Sequence, residues 1–195
     1  MSEYEHCETT RLNLDLPTLR DLDALFEIHA DARSWSHNPG RRHRNPDRMK
    51  KFIIQAADRF QRDGLGYWTV RMKGENNIVG WAGCSMPNQK PWWNLTYRIA
   101  PELWGHGLAT EVAMASVEAA HQVAAHVPVL GYVSESNGSS RRILERHLNF
   151  LENSRGTDLN NPQLVRIVYL DRTVPEDIQD VINASMFRSG SEPEL

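Results

Sequence analysis

The stretch RIAPELWGHGLATE, Arg98 to Glu111, places two glycines one residue apart between a short apolar alternation and a long alanine-rich run. This junction restricts the fold more than any other part of the chain. Before it, Leu95, Tyr97 and Ile99 alternate with Asn94, Thr96 and Arg98, the period of a strand. After it, Leu108, Val112, Ala115, Ala119 and Val123 recur at steps of three and four, the period of a helix reaching about Ala125. A strand that turns through glycine into a helix presents unpaired backbone N–H groups at the positive end of the helix dipole. Gly105 and Gly107 lack the β-carbons that would keep an anion from that backbone, and both admit left-handed dihedrals. The junction reads either as a tight turn without ligand or as a phosphate cradle.

Two other phosphate motifs do not fit. A Walker loop ends in GK[ST], which the chain lacks, and a dinucleotide fingerprint needs a third glycine where Thr110 stands.

The rest of the chain supplies a mixed pattern. Leu12, Leu14 and Leu16 alternate as a first strand, and Pro17 to Arg33 carries Leu19, Leu22, Leu25, Phe26 and His29 at helical spacing. A second helix is expected from Pro46 to about Arg62, with Asn45 as its cap. GYWTVRM, ENNIVGWAGCSM and WNLTYRI read as three neighbouring antiparallel strands. VLGYVSES is a further strand, SSRRILERHL a short helix, and QLVRIVYL a late strand, followed by one marginal helix and a frayed tail. No repeat or low-complexity linker interrupts this order. The expectation is a mixed α/β fold in one domain over residues 1–187, with 188–195 as a flexible tail.

Composition narrows the function. A chain of 195 residues, 40% apolar and 24% charged, suits a soluble globular domain. No apolar run reaches the roughly 18 to 20 residues of a membrane span, and the start MSEYEHCETT lacks the profile of a secretory signal, so a cytoplasmic location is expected. The net charge of −3 gives no general attraction to nucleic acid or anionic lipid. Cys7 and Cys84 stand alone, His121 and His126 miss one-face helical spacing, and no metal is assigned. The basic cluster Arg41, Arg42 and Arg44 reads as a solvated loop or as a patch for an acidic peptide.

YRIAPELWGHGLATEVAMASVEAA, followed by SNGSSRRILER, resembles the GNAT superfamily of N-acetyltransferases, in the branch of the ribosomal-protein N-acetyltransferases RimJ and RimL. ETTRLNLDLPTLRDLDALFEIHAD and GYWTVR resemble the same branch, so the likeness extends from about Thr9 to Leu170. The resemblance implies a mostly antiparallel central sheet flanked by helices and splayed at its central strands. It also implies acetyl-CoA as cosubstrate. The family's Q/R-x-x-G-x-G/A loop maps onto Trp104, Gly107 and Ala109, which assigns the pyrophosphate to Trp104, Gly105, His106, Gly107, Leu108, Ala109 and Thr110. The family's N-x-x-S motif maps onto Asn137 and Ser140, with Ser139 beside them, and implies contacts to the pantetheine and phosphate arm; Asn137 also suits a helix N-cap. Where the family has Gly-Phe after this helix, the chain reads HLNF, with Asn149 before Phe150 and one residue extra.

The chemistry needs an acetyl group held beside a neutral amine and a donor for the developing oxyanion. The resemblance places the thioester carbonyl near the backbone N–H of Ile99. Where many relatives carry a glutamate base the chain has Asn94, and where some carry a tyrosine acid it has Leu144. Glu135, Glu111 and Ser140 are the remaining catalytic candidates, Glu111 doubling as a first-turn acid that complements the helix dipole. Trp35, Trp92, Trp93 and Asn94 are candidates for lining the acceptor groove, with PWW expected to be partly exposed. The expected acceptor is the amino terminus of a protein or peptide. A small amine such as a polyamine, amino acid or antibiotic is the second reading, and a silent acyl-CoA-binding module the third. A homodimer is one assembly that the sequence allows.

Overall fold

The computed structural model of the chain describes residues 3–87 and 90–187, and in it the period-two segments form strands and the three-four segments form helices. The flexible tail expected at 188–195 lies outside the described residues. The fold is mixed α/β and divides into two compact units, the first ending at Val129 and the second starting at Leu130.

The first unit carries β1 (His6–Glu8), β2 (Leu12–Asp15), β3 (Tyr67–Met72), β4 (Ile78–Ser85) and β5 (Trp93–Ile99), each antiparallel to the next. Its helices are α1 (Leu22–Ala30), α2 (Asp47–Asp63) and α3 (Leu108–Ala124). Helix α2 forms because Asn45 Oδ1 accepts from the Asp47 N–H at 3.2 Å at its start, and Gly64, at φ 79°, closes its end. Its Met49, Ile53, Ala56 and Phe60 are buried at steps of three and four. Met49 and Ile53 meet Leu25 of α1 and Trp81 of β4 in one apolar cluster, where each fully buried side chain contributes about 1.5–3 kcal/mol. Helix α3 packs against β4 and β5.

The second unit carries β6 (Val129–Ser134), α4 (Gly138–Arg142), β7 (Leu151–Asp158), β8 (Asn161–Leu170) and α5 (Glu176–Met186), with β8 antiparallel to both β6 and β7. Arg166 and Asp158, both buried, pair at 2.9 Å, and the Arg166 guanidinium lies 4.9 Å from the Tyr132 ring centroid. The short helix expected here does not run on as an α-helix. It widens after Arg142 into a π turn, Ile143–His147, closed by the Leu148 N–H on Ile143 O at 3.0 Å. A π turn holds one residue more than an α turn, which gives room for the residue of HLNF that the resemblance counts as extra. Asn149 then takes φ 54°, a conformation that asparagine tolerates better than most residues, and Phe150 is buried.

Two strands were not expected from the sequence. β1 is only three residues long and largely exposed, too short to show a period. β7 is exposed over half of its length and its register shifts twice against β8, which removes the alternation that marks a strand. Among the described residues no helix is long and apolar enough to cross a membrane.

Candidate functional site

The glycine junction begins at the end of β5. The Ala100 N–H donates to Val79 O of β4 at 2.8 Å, so strand alternation turns the Ile99 N–H away from β4. The Ile99 carbonyl accepts from Trp104 Nε1 at 2.8 Å, across a single 3-10 turn, Pro101–Leu103. The Trp104 ring is half-exposed, and His106 Nδ1 donates to Trp104 O at 3.1 Å.

Gly105 and Gly107 have φ 82° and 78°. A β-carbon on Gly105 would meet no atom within 4 Å, and one on Gly107 only Arg11 Nη2 at 3.5 Å. Protein crowding therefore does not select glycine here. The positive dihedrals do, together with the open space they leave over the backbone. The Glu111 N–H bonds Gly107 O at 3.0 Å, so the N–H groups of Leu108, Ala109 and Thr110 precede the first intrahelical bond of α3. Open backbone, helix N-terminus and unconsumed donors together suit a pyrophosphate.

Glu111 is committed to this loop. Its Oε1 accepts from Thr9 Oγ1 at 2.5 Å and from the Arg11 N–H at 2.8 Å, and its Oε2 pairs with Arg11 Nε at 2.6 Å. Arg11 Nη1 in turn donates to His106 O at 2.8 Å. Burial raises the Glu111 carboxyl, and the bonds from Thr9 and Arg11 outweigh that and leave it below the ordinary glutamate range. It braces the loop as an ionised group with both oxygens engaged.

Strand β5 directs Asn94, Thr96 and Arg98 to the face opposite Ile99. Asn94 Nδ2 donates to Tyr67 Oη at 3.2 Å and to Thr96 Oγ1 at 3.1 Å. Trp35 Nε1 donates to His29 O at 2.6 Å, and its ring centroid lies 3.8 Å from the Arg98 guanidinium. Trp92 and Trp93 are 1% and 0% exposed, which corrects the expectation of a partly exposed pair. The reason is local: β5 starts at Trp93, whose N–H bonds Pro128 O at 2.8 Å, so the pair enters the fold instead of standing at its rim.

Sequence reading missed Tyr67 and the aromatic nest of His29, His43 and Arg98. Tyr67 lies on β3, and Gly83 of β4 pairs with both Tyr67 and Thr96, a register that no single-strand pattern reveals. Arg98 sat inside the quoted motif, and its place on the polar side of β5 was the available signal.

In the second unit, Asn137 Oδ1 accepts from the Ser140 N–H at 3.2 Å as the N-cap of α4, with Ser139 in the first turn. Glu135 is ion-paired with Arg155, which also holds Glu152.

Residues 11–147 match the family model for the acetyltransferase (GNAT) domain. Among solved structures, an acetyltransferase from Agrobacterium tumefaciens strain C58 aligns with a TM-score of 0.71 at 20% identity, over 86% of this chain and 94% of that one. The ribosomal-protein-S5-alanine acetyltransferase of Vibrio fischeri aligns at 0.69 and 16% identity, over 88% and 97%. RimL, a ribosomal L7/L12 α-N-protein acetyltransferase solved with coenzyme A, aligns at 0.69 and 13% identity, over 87% and 98%. With a family match over more than half its length, and the glycine junction and strand end that such an enzyme requires, the chain belongs to the GNAT acetyltransferase domain family and is an acetyl-CoA-dependent acetyltransferase.

Proposed function

We propose that the acceptor is a primary amine that arrives largely neutral, the N-terminal α-amine of a protein or peptide. The observation that carries this reading is Asn94: the position of the family's glutamate base holds an amide, bonded to Tyr67 and Thr96, and an amide takes no proton at neutral pH. Glu111 and Glu135 are engaged elsewhere. A free α-amine has a pKa of about 7.7–8.0, so roughly a tenth is neutral at pH 7, whereas a lysine near 10.4 is neutral at about one part in a few thousand. An enzyme without a base recovers this difference by choosing the easier amine. The names of two structural neighbours, acetyltransferases of ribosomal proteins, point the same way.

Acetyl-CoA supplies a thioester whose thiol, with a pKa of about 8.5, leaves without a strong acid. On this reading the N–H groups from Gly105 to Thr110 hold its pyrophosphate, and the Ile99 N–H donates to the oxygen on which charge develops. Asn137, Ser139 and Ser140 keep, as part of the proposal, the cofactor contacts that the resemblance implies.

The test is incubation of the protein with acetyl-CoA and a library of peptides and small amines, read by mass shift. Acetylation at free amino termini in preference to internal lysines is the expected result, with a rate that rises through about pH 8 and then levels as the amine becomes neutral. Asn94→Glu changes that rate only modestly. Acetylation confined to lysine side chains or to small amines overturns the acceptor assignment.

A further inference from the structure

Arg98 is a largely buried cation with no carboxylate partner among the described residues. Its Nη1 donates to Ser34 O at 2.6 Å, its guanidinium carbon lies over the Trp35 ring 3.8 Å from the centroid, and its pairing partner on β4 is Trp81. Burial alone pulls it down to about 10, with no counter-charge opposing. Arg48, an exposed residue at the start of α2 with its guanidinium 5.6 Å from the Phe52 ring centroid, pairs with no carboxylate among the described residues either. Both guanidiniums act on the same pair of buried imidazoles, His29 and His43, whose ring centroids are 5.1 Å apart. Burial first, and then the two arginines, keep those rings neutral. Two polar atoms of this nest, His43 Nδ1 and Ser34 Oγ, are buried with no hydrogen-bond partner among the described residues.

Buried unpaired charge and unsatisfied polar atoms each cost stability, and here they are gathered in one place with one sign of charge. What the nest lacks is an anion. The planar fork of a guanidinium matches a carboxylate in two parallel hydrogen bonds, which a stacked ring underneath holds in orientation. Arg98 immediately precedes Ile99 in the chain, beside the proposed reacting carbonyl, whereas the cosubstrate's phosphates are assigned to the loop from Gly105. An anion at Arg98 therefore belongs to the acceptor.

We propose that Arg98, with Ser34 and His43 beside it, binds a carboxylate of the acceptor, so that the amine acetylated here carries an acid close to it. This rests on the amine-acetylation reading and narrows it. The carboxylate has two sources: the α-carboxylate of a free amino acid, or an Asp or Glu side chain near the amino terminus of a peptide.

The experiment measures kcat/KM for matched acceptors in two arms. One arm compares free amino acids with their amides; the other compares short peptides with Asp or Glu at the second position against Asn or Gln there. The proposal expects the acid to be favoured at least tenfold in one arm, which identifies the source. In Arg98→Met that ratio falls to near one, and in Arg98→Lys, which keeps the charge but loses the fork, it falls part of the way. The ratio is read within each variant, and Arg98→Lys carries the test if Arg98→Met does not fold. Binding of the same acids and amides in the presence of CoA is followed without turnover through tryptophan fluorescence, since Trp35 lies against Arg98. If no amine is acetylated yet the acids still bind better through Arg98, the transfer reading falls and the carboxylate site stands. Equal constants for acids and amides in both arms, by rate and by titration, or an acid preference that survives Arg98→Met, overturn the proposal.

Discussion

Trp104 Nε1 donates to the Ile99 carbonyl at 2.8 Å, tying the first residue of the loop back to the last residue of β5. The indole thus fixes the Ile99–Ala100 peptide, the unit next to the one whose N–H is proposed to face the reacting oxygen. Trp104→Phe keeps the ring and removes the donor. It is expected to cost about 1 kcal/mol of stability and to lower kcat about three- to tenfold, with CoA affinity changed by less than about threefold. Calorimetric titration with CoA beside steady-state rates checks this. An equal loss of CoA affinity would leave Trp104 in the phosphate cradle, where the resemblance assigns it.

Gly107→Val tests the cradle. A branched residue resists φ 78° and puts methyl groups into the open space over the backbone. CoA affinity is expected to fall by at least about tenfold, while the melting temperature drops by only about 4–8 °C because the change lies at a helix end. A folded variant with unchanged CoA affinity would show that the loop has another task.

Glu111→Gln separates bracing from base catalysis. The amide loses the charged bonds to Thr9 and Arg11, and stability is expected to fall by about 1–3 kcal/mol at pH 7. Because the carboxyl sits below its ordinary value of 4.5, its contribution is present above that pH and is lost as pH falls through the folded-state value. The pH dependence of the rate should be unchanged. A rate that loses its low-pH limb in this variant would make Glu111 the base.

His29 and His43 predict acid sensitivity. Both are held below the ordinary value of 6.5, His43 at about 4, so the unfolded chain binds protons that the folded chain refuses. Stability is therefore expected to decline as pH drops from about 6.5 towards 4, and to be insensitive to these groups above 6.5. Denaturant unfolding between pH 4 and 8 measures it, and His43→Gln should flatten the slope. An unchanged slope in that variant would mean that His43 is already charged in the folded protein.

The sequence revealed the elements with a strong period and the loop with strong backbone demands. α2 and α3 begin and end within about two residues of the positions read from Asn45, Pro46, Gly107 and Pro128. The glycine turn before α3 was legible because glycine's dihedral freedom is a property of the residue itself. Tyr67, Arg98 and His43 were not, because what makes them interesting is pairing across strands and burial beside one another, and neither leaves a mark in the local order of residues. Trp92 and Trp93 failed for a related reason: a place at the start of a strand said nothing of the backbone bond that draws the pair inside.

The π turn at Ile143–His147 makes this part of the chain an elastic ruler. Between the Asn137 cap before it and the buried Phe150 after it, the wider loop of backbone houses one residue more than an α turn would. Leu144, four residues beyond Ser140, lies inside that wider turn, so a position counted forward from the serine motif on ordinary helical turns holds only up to Arg142.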